Sequence, residues 1–328
     1  MTYRMPAEWA EQDWIWIGFP AAADLWEADL APAQAQVAAF ANAIAASGQQ
    51  VRLVVRDALA EAQARALVLP QVVFETHPYG DIWLRDTGPL ALLDSTGARA
   101  ARRFGFNGWG GKYLLDGDQQ TGASMVASGR LTDLGQADWV LEGGAVDSDG
   151  TGLVVTTQQC LLNPNRNPSL TKAEIAERLE RDLGLSRVLW LGDGLLGDHT
   201  DGHVDNLARF VAPGRIAIPQ ASGTDDPNAA TYDDAATRAE AFGLDVVRIP
   251  SPGLMGEDED VEPASYMNFV IANRVVVVPI YGAPNDAAAV AAIGALFPGR
   301  TVVGLMADAV LTGGGSFHCC SQHVPMAL

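Results

Sequence analysis

The sequence is short of basic residues, of cysteine and of long apolar runs, and each shortage argues against a class of function. Lysine and arginine together number 21 against 40 aspartates and glutamates, for a net charge of −19. A nucleic-acid partner requires basic surface, so that balance speaks against one. It suits a cationic small molecule, whose local concentration a negative field raises. Three cysteines (Cys160, Cys319 and Cys320) are too few, and odd in number, for a disulfide framework, so a reducing, cytoplasmic setting is expected. The most apolar stretch, Val275–Tyr281, falls far short of the roughly 20 residues that span a bilayer, so no membrane partner is expected. The opening MTYRMPAEWAEQDW has acidic residues where a signal peptide would be apolar. No low-complexity linker interrupts the chain, and residues 1–328 read as a single α/β domain.

What is present is a recurring supersecondary pattern: a short strand with a polar residue near its start, a hairpin, a helix, and a closing hydrophobic strand. The clearest copy starts at Trp139, where WVLEGGAVDSDGTGLVVTT turns at Asp149-Gly150. Ser169 or Thr171 can cap an amphipathic helix over Lys172–Leu183, which Gly184 ends, and RVLWL follows as a strand. Further copies start at His203, with a helix near Asn228–Phe242, and at Ser265, with a helix near Asp286–Leu296. An earlier copy starts at Asp81 and has a poorly marked helix. The last is split between the chain ends: GSFHCCSQHVP pairs with DWIWIGFP, followed by a helix over about Pro32–Ser47 and the strand Val51–Val55. Five such ββαβ units predict a closed, radially repeated structure. Its axis would gather Asp86, Glu142, His203 with Asp205, Asn268 and Cys319.

Those residue types form a coherent chemical set. A cysteine becomes a strong nucleophile once deprotonated, and a nearby imidazolium eases that step. Histidine can then protonate a leaving group and later take a proton from water. Glu142 is suited to orient His203, as the acidic member of other triads does. Asp86 and Asp205 supply carboxylates that match the forked N–H donors of a guanidinium. The glycines Gly313-Gly314-Gly315 allow close approach of backbone next to Cys319. Plainer readings go to Cys160 and Cys320, taken as structural thiols, with Cys320 on the opposite face of a strand from Cys319. His77 and His323 read as loop or surface histidines, and Arg85 as a surface salt-bridge partner of Asp86. His318 has no evident role. The spacing of His199 and His203 is that of helical zinc ligands. The stretch His-Thr-Asp-Gly-His lacks the glutamate of the protease motif, and its glycines favour a loop. No metal or cofactor is expected.

The stretches MPAEW (Met5–Trp9), DIWLRDTGP (Asp81–Pro89), FNGWGGK (Phe106–Lys112), LEGGAVDSDG (Leu141–Gly150), CLLNPNRNP (Cys160–Pro168), TDGHVDN (Thr200–Asn206) and GGGSFHC (Gly313–Cys319) occur in this order. Together they resemble the agmatine deiminase and bacterial-type peptidyl-arginine deiminase family. The resemblance implies the pentein fold, a five-bladed α/β propeller of ββαβ repeats with pseudo-fivefold symmetry. It implies Cys319 as nucleophile, His203 as general acid–base, Glu142 as its partner, and Asp86 and Asp205 as the guanidinium grip. The implied reaction is hydrolysis of agmatine to N-carbamoylputrescine and ammonia through an amidino-thioether, as in putrescine and polyamine synthesis. Free or peptidyl arginine or another alkylguanidine is the alternative, and a non-catalytic pentein binding protein a distant one. Substrate contacts are expected from Trp109, through its ring face, and from His199 and Asn268; a homodimer is left open. Family members usually carry an acidic residue where this chain has His199, and Asn plus an aliphatic residue where it has Ser316 and Phe317. These departures fall where the substrate tail is expected.

Overall fold

The computed structural model describes residues 2–257 and 260–327. Five small mixed sheets repeat one connectivity, in which the first two strands pair antiparallel and the second and third pair parallel. The first blade closes the chain on itself: Ser321–Pro325 pairs antiparallel with Gln12–Gly18, which pairs parallel with Gln50–Val55. The others are built from Leu90–Leu93, Arg99–Gly105 and Thr132–Val140; Asp147–Ser148, Leu153–Thr157 and Arg187–Leu191; Arg209–Ala212, Arg215–Gln220 and Asp245–Pro250; and Val270–Ile271, Val275–Ile280 and Thr301–Met306.

A parallel pair needs a long crossover, and a helix supplies it each time: Leu30–Ala46, Asp118–Gly129, Lys172–Leu183, Ala229–Phe242 and Asp286–Leu296. The predicted helix signals act as expected. Thr171 forms a capping box with Glu174, and Gly184 ends that helix in the left-handed conformation at φ 68°. Strand Val275–Ile280 carries four consecutive valines and is buried along almost its whole length, as a strand covered on both faces should be. The architecture is the pentein propeller. Among the described residues, no helix is long and apolar enough to cross a membrane.

Three details differ from the pattern read in the sequence. The first blade has a fourth strand, Val73–Thr76, whose mixed VFET composition gives no alternation to read. In the second unit the strand starts at Leu90, because residues 84–88 close a helical turn in which Gly88 N–H bonds Leu84 O. Cys319 and Cys320 lie in a turn just before Ser321–Pro325, not on the strand. The same place recurs in every blade. Single turns at Leu84–Thr87, Gly143–Ala145, Val204–Asn206 and Tyr266–Asn268 precede the first strands and carry or adjoin Asp86, Glu142, His203, Asp205 and Asn268.

Candidate active site

A cavity of about 190 Å³ opens beside these turns, lined by Asp81, Asp86, Trp83, Trp109, His199 and Cys319 among others. Gly313 and Gly315 are needed here because a Cβ on either would sit 2.6 Å from the Trp26 or Trp83 ring. The glycines thus let the chain close on two indoles that form the cavity wall. Cys319 is 5% exposed, whereas Cys320 is fully buried with its thiol toward Phe317 O.

The tightest convergence lies in front of Gly144. A Cβ at this position would be 2.6 Å from His203 Nδ1, 3.0 Å from Asp86 Oδ1 and 3.1 Å from Asp205 Oδ2. Residues from two blades therefore aim polar atoms at one small space that a glycine of a third blade leaves open. Gly144 N–H also donates to Asp86 Oδ1 at 3.0 Å, and Trp109 Nε1 donates to Asp86 Oδ2 at 2.9 Å. The Trp109 indole thus acts on the carboxylate through its N–H, and its ring is held edge-on by Phe106. The Cys319 thiol lies 3.6 Å from Asp205 Oδ2 and accepts from Asn268 Nδ2 at 3.1 Å.

Asn268 was expected among the substrate contacts, but it lies behind the thiol rather than against the cavity. Its Oδ1 accepts the backbone N–H groups of His318 and Cys319, and its Nδ2 also reaches Asn206. It holds the cysteine turn in place. His199 stands exposed at the cavity mouth, its Nδ1 3.2 Å from the Tyr113 hydroxyl and its carbonyl accepting from Lys112. His203 is fully buried. These two histidines do not face one way as helical zinc ligands would.

Glu142 and His203 are neighbours without a hydrogen bond between them. Glu142 Oε1 instead accepts from Arg166 Nε at 2.6 Å, both side chains being fully buried, while Oε2 and both His203 nitrogens have no hydrogen-bond partner among the described residues, Nδ1 standing 3.8 Å from Asp86 Oδ1. Arg166 continues to Asp201 and to Thr200 O, so it ties Glu142 to the loop that leads into His203. Asp201 also pairs with Lys112 at 2.6 Å.

The electrostatics set the His203 ring and the Cys319 thiol apart. Burial pushes His203 down, but the charges of Asp86 and Glu142 outweigh it and hold the ring well above the usual range. Burial and then the Asp205 and Asp86 charges push the Cys319 thiol well up, against the Asn268 hydrogen bond. Burial would raise Asp205, but His318 holds it below the usual carboxylate range. Burial raises Asp86. Both shifts run toward the protonated form, of the His203 ring and of the Cys319 thiol.

Several contributors had no sequence signal. His318 spans two carboxylates, with Nδ1 2.7 Å from Asp205 and Nε2 2.8 Å from Glu8. Glu8 also accepts from Arg209 and from Ile271 N–H, partners more than 200 residues away. Arg85 makes no surface salt bridge to Asp86; it is buried and points to the cysteine turn, donating to His318 O. His77 and His323 are buried rather than superficial: His77 bonds Glu75 and Ser124, and burial takes His323 down to about 3. Asp81 accepts from Trp26 Nε1 and is pushed up to about 6 by burial, inside the cavity.

Comparison with known proteins gives the same picture across nearly the whole chain. Residues 4–325 match the Porphyromonas-type peptidyl-arginine deiminase family. The agmatine deiminase of Pseudomonas fluorescens is 34% identical over 352 aligned positions, covering 98% of this chain and 95% of that protein. Agmatine deiminase of Enterococcus faecalis superposes with a TM-score of 0.93 at 32% identity, covering 99% of this chain and 96% of that one. A cysteine-to-serine variant of Campylobacter jejuni agmatine deiminase, solved with substrate bound, gives 0.92 at 28% identity, covering 100% and 97%. The chain belongs to the Porphyromonas-type peptidyl-arginine deiminase family and is a hydrolase of the agmatine deiminase kind.

Proposed function

We propose that the protein deiminates agmatine, releasing ammonia and N-carbamoylputrescine. The observation that carries this reading is the convergence of Asp86, Asp205 and His203 on the space before Gly144, with the Cys319 thiol 3.6 Å from Asp205. A guanidinium set between the two carboxylates donates N–H bonds to both. Burial and then the carboxylate field keep the thiol protonated; the substrate's positive charge cancels the second of these, and the proton leaves to water as the substrate arrives. The sulfur attacks the guanidinium carbon, an S–C bond forms, and the C–N bond breaks as His203 protonates the departing ammonia. The now neutral His203 takes a proton from water, whose oxygen bonds the same carbon. The S–C bond then breaks to give the ureido product and free thiol. Glu142 and Arg166 hold His203 in a charged environment throughout.

The cavity wall favours a substrate without an α-carboxylate. Among the described residues no arginine or lysine lines it, and Lys112 at the rim is paired with Asp201. Asp81 supplies a further carboxylate for the distal amine of agmatine. His199, bonded to Tyr113 where relatives are usually acidic, gives a second reading some support: an alkylguanidine with a less basic tail. A panel of agmatine, arginine, acylated agmatine and peptidyl-arginine, read by ammonia release, tests both. Agmatine should have the highest kcat/KM, and Cys319→Ala should abolish turnover. If arginine is the best substrate, the reading of the cavity wall is wrong. If no guanidine is turned over, the deiminase assignment is wrong.

A further inference from the structure

Beside His203, and not among the residues that line the substrate cavity, lies a thiol that the reaction does not use. Cys160 sits on the helical turn Gln158–Leu161, which Thr157 caps by accepting Cys160 N–H. The Thr157 hydroxyl also donates to Gly202 O at 2.6 Å, fastening this turn to the residue before His203. Cys160, Glu142 and His203 are all fully buried, and each brings a ligand atom within 4.8 Å of the others. Glu142 Oε2 and both ring nitrogens of His203 are buried without a hydrogen-bond partner. Buried polar atoms left without partners are costly, so a ligand that satisfied them would be held firmly.

Thiolate, imidazole and carboxylate form a zinc-type donor set, and three protein ligands leave a fourth tetrahedral position for water. Ligand atoms around such an ion stand roughly 3.5 Å apart, so modest side-chain rotations would close the group on it. Arg166 occupies only Oε1 of Glu142 and leaves Oε2 available. We propose that Glu142, Cys160 and His203 form a binding site for a zinc-class divalent cation, and that occupancy inhibits the enzyme by withdrawing His203 from proton transfer. Coordination releases to water the thiol proton of Cys160 and one ring proton of the His203 imidazolium. The nearby charges of Asp86, Glu142 and Arg166 are unchanged. The soft thiolate distinguishes this site from one for magnesium or calcium. Inhibition rests on the role given to His203 above, whereas binding of the ion does not.

Cobalt titration of metal-free, reduced protein tests binding independently of turnover, because a cysteine thiolate bound to cobalt gives a charge-transfer band in the near ultraviolet. The chain has three cysteines, so the Cys319→Ser/Cys320→Ser double variant leaves Cys160 alone. That variant and the wild type should each develop the band at one equivalent of cobalt, and zinc should displace it. Cys160→Ser should lose the band and raise the half-inhibitory zinc concentration by more than about tenfold, at least the cost of losing a supporting metal-site partner. The proposal is overturned if a folded double variant gives no band. It is also overturned if Cys160→Ser keeps the band and Cys319→Ser loses it, which would put the ion on the cysteine of the cavity. A band without guanidine turnover would sink the deiminase reading and leave the metal site standing.

Discussion

Replacing Gly144 by alanine changes no reacting group, yet it should disable the site. The added Cβ would lie 2.6 Å from His203 Nδ1, 3.0 Å from Asp86 Oδ1 and 3.1 Å from Asp205 Oδ2. Non-bonded heavy atoms rest at roughly 3.5 Å, so the imidazole must withdraw by about 0.9 Å and each carboxylate by about half that. A displacement near 1 Å in a catalytic constellation costs on the order of 10²-fold in rate. The expected result is a kcat lower by about that factor. Overpacking of this kind costs roughly 1–3 kcal/mol of stability, so the variant should remain folded. Steady-state kinetics with the best guanidine of the panel, alongside a urea titration, separate the two effects. Gly299→Ala is the matched control, because its Cβ would meet nothing within 4 Å. A Gly144→Ala enzyme with the kcat of the wild type would refute the claim that these three groups converge on the reacting centre.

Three further predictions test separate parts of the site. Trp109→Phe removes the N–H bond to Asp86, a bond to a charged acceptor worth roughly 1.5–3 kcal/mol, and kcat/KM should fall by about one to two powers of ten; an unchanged value would return Trp109 to a packing role. Asp81 is held at about 6 against an ordinary 3.8, so between those values the folded chain keeps a proton that the unfolded chain has lost, and stability falls as pH rises through the window. Asp81→Asn should therefore gain on the wild type by up to about 3 kcal/mol between pH 4 and 6 and level off above, read as paired melting curves; a gap constant with pH would contradict the assigned burial. His199→Glu should raise kcat/KM for agmatine relative to acylated agmatine, and no change in that ratio would remove His199 from substrate selection.

The repeat was readable because each blade repeats local signals: a turn, a short hydrophobic pair, a capped helix and a closing strand. Thr171, Gly184 and the valine run at Val275–Val278 each act locally, and the structure realises them where the sequence places them. The helix Asp118–Gly129 is poorly marked because it begins after a glycine, contains two more, and has no side-chain cap. Side chains whose partners lie far along the chain left no such trace. Glu8 meets His318 across 310 positions, and Arg85 turns away from its neighbour Asp86 toward the other end of the chain. Asn268 likewise takes its work from another blade, at the cysteine turn, and Arg166 joins Glu142 of its own blade to Asp201 in the loop that leads to the next. Cys160 read as an inert core thiol because nothing in its apolar sequence neighbours reveals that His203 packs against it. Periodicity carries the backbone plan, while buried polar pairing is written only in three dimensions.

The central claim is that the Cys319 sulfur bonds to the guanidinium carbon. Acid-quenching the enzyme during turnover of agmatine, followed by mass analysis of the peptide containing Cys319 and Cys320, tests it directly. An adduct of agmatine less ammonia should appear on Cys319, and it should be lost in Cys319→Ser. An adduct on Cys320, or steady turnover by Cys319→Ser, would contradict the account.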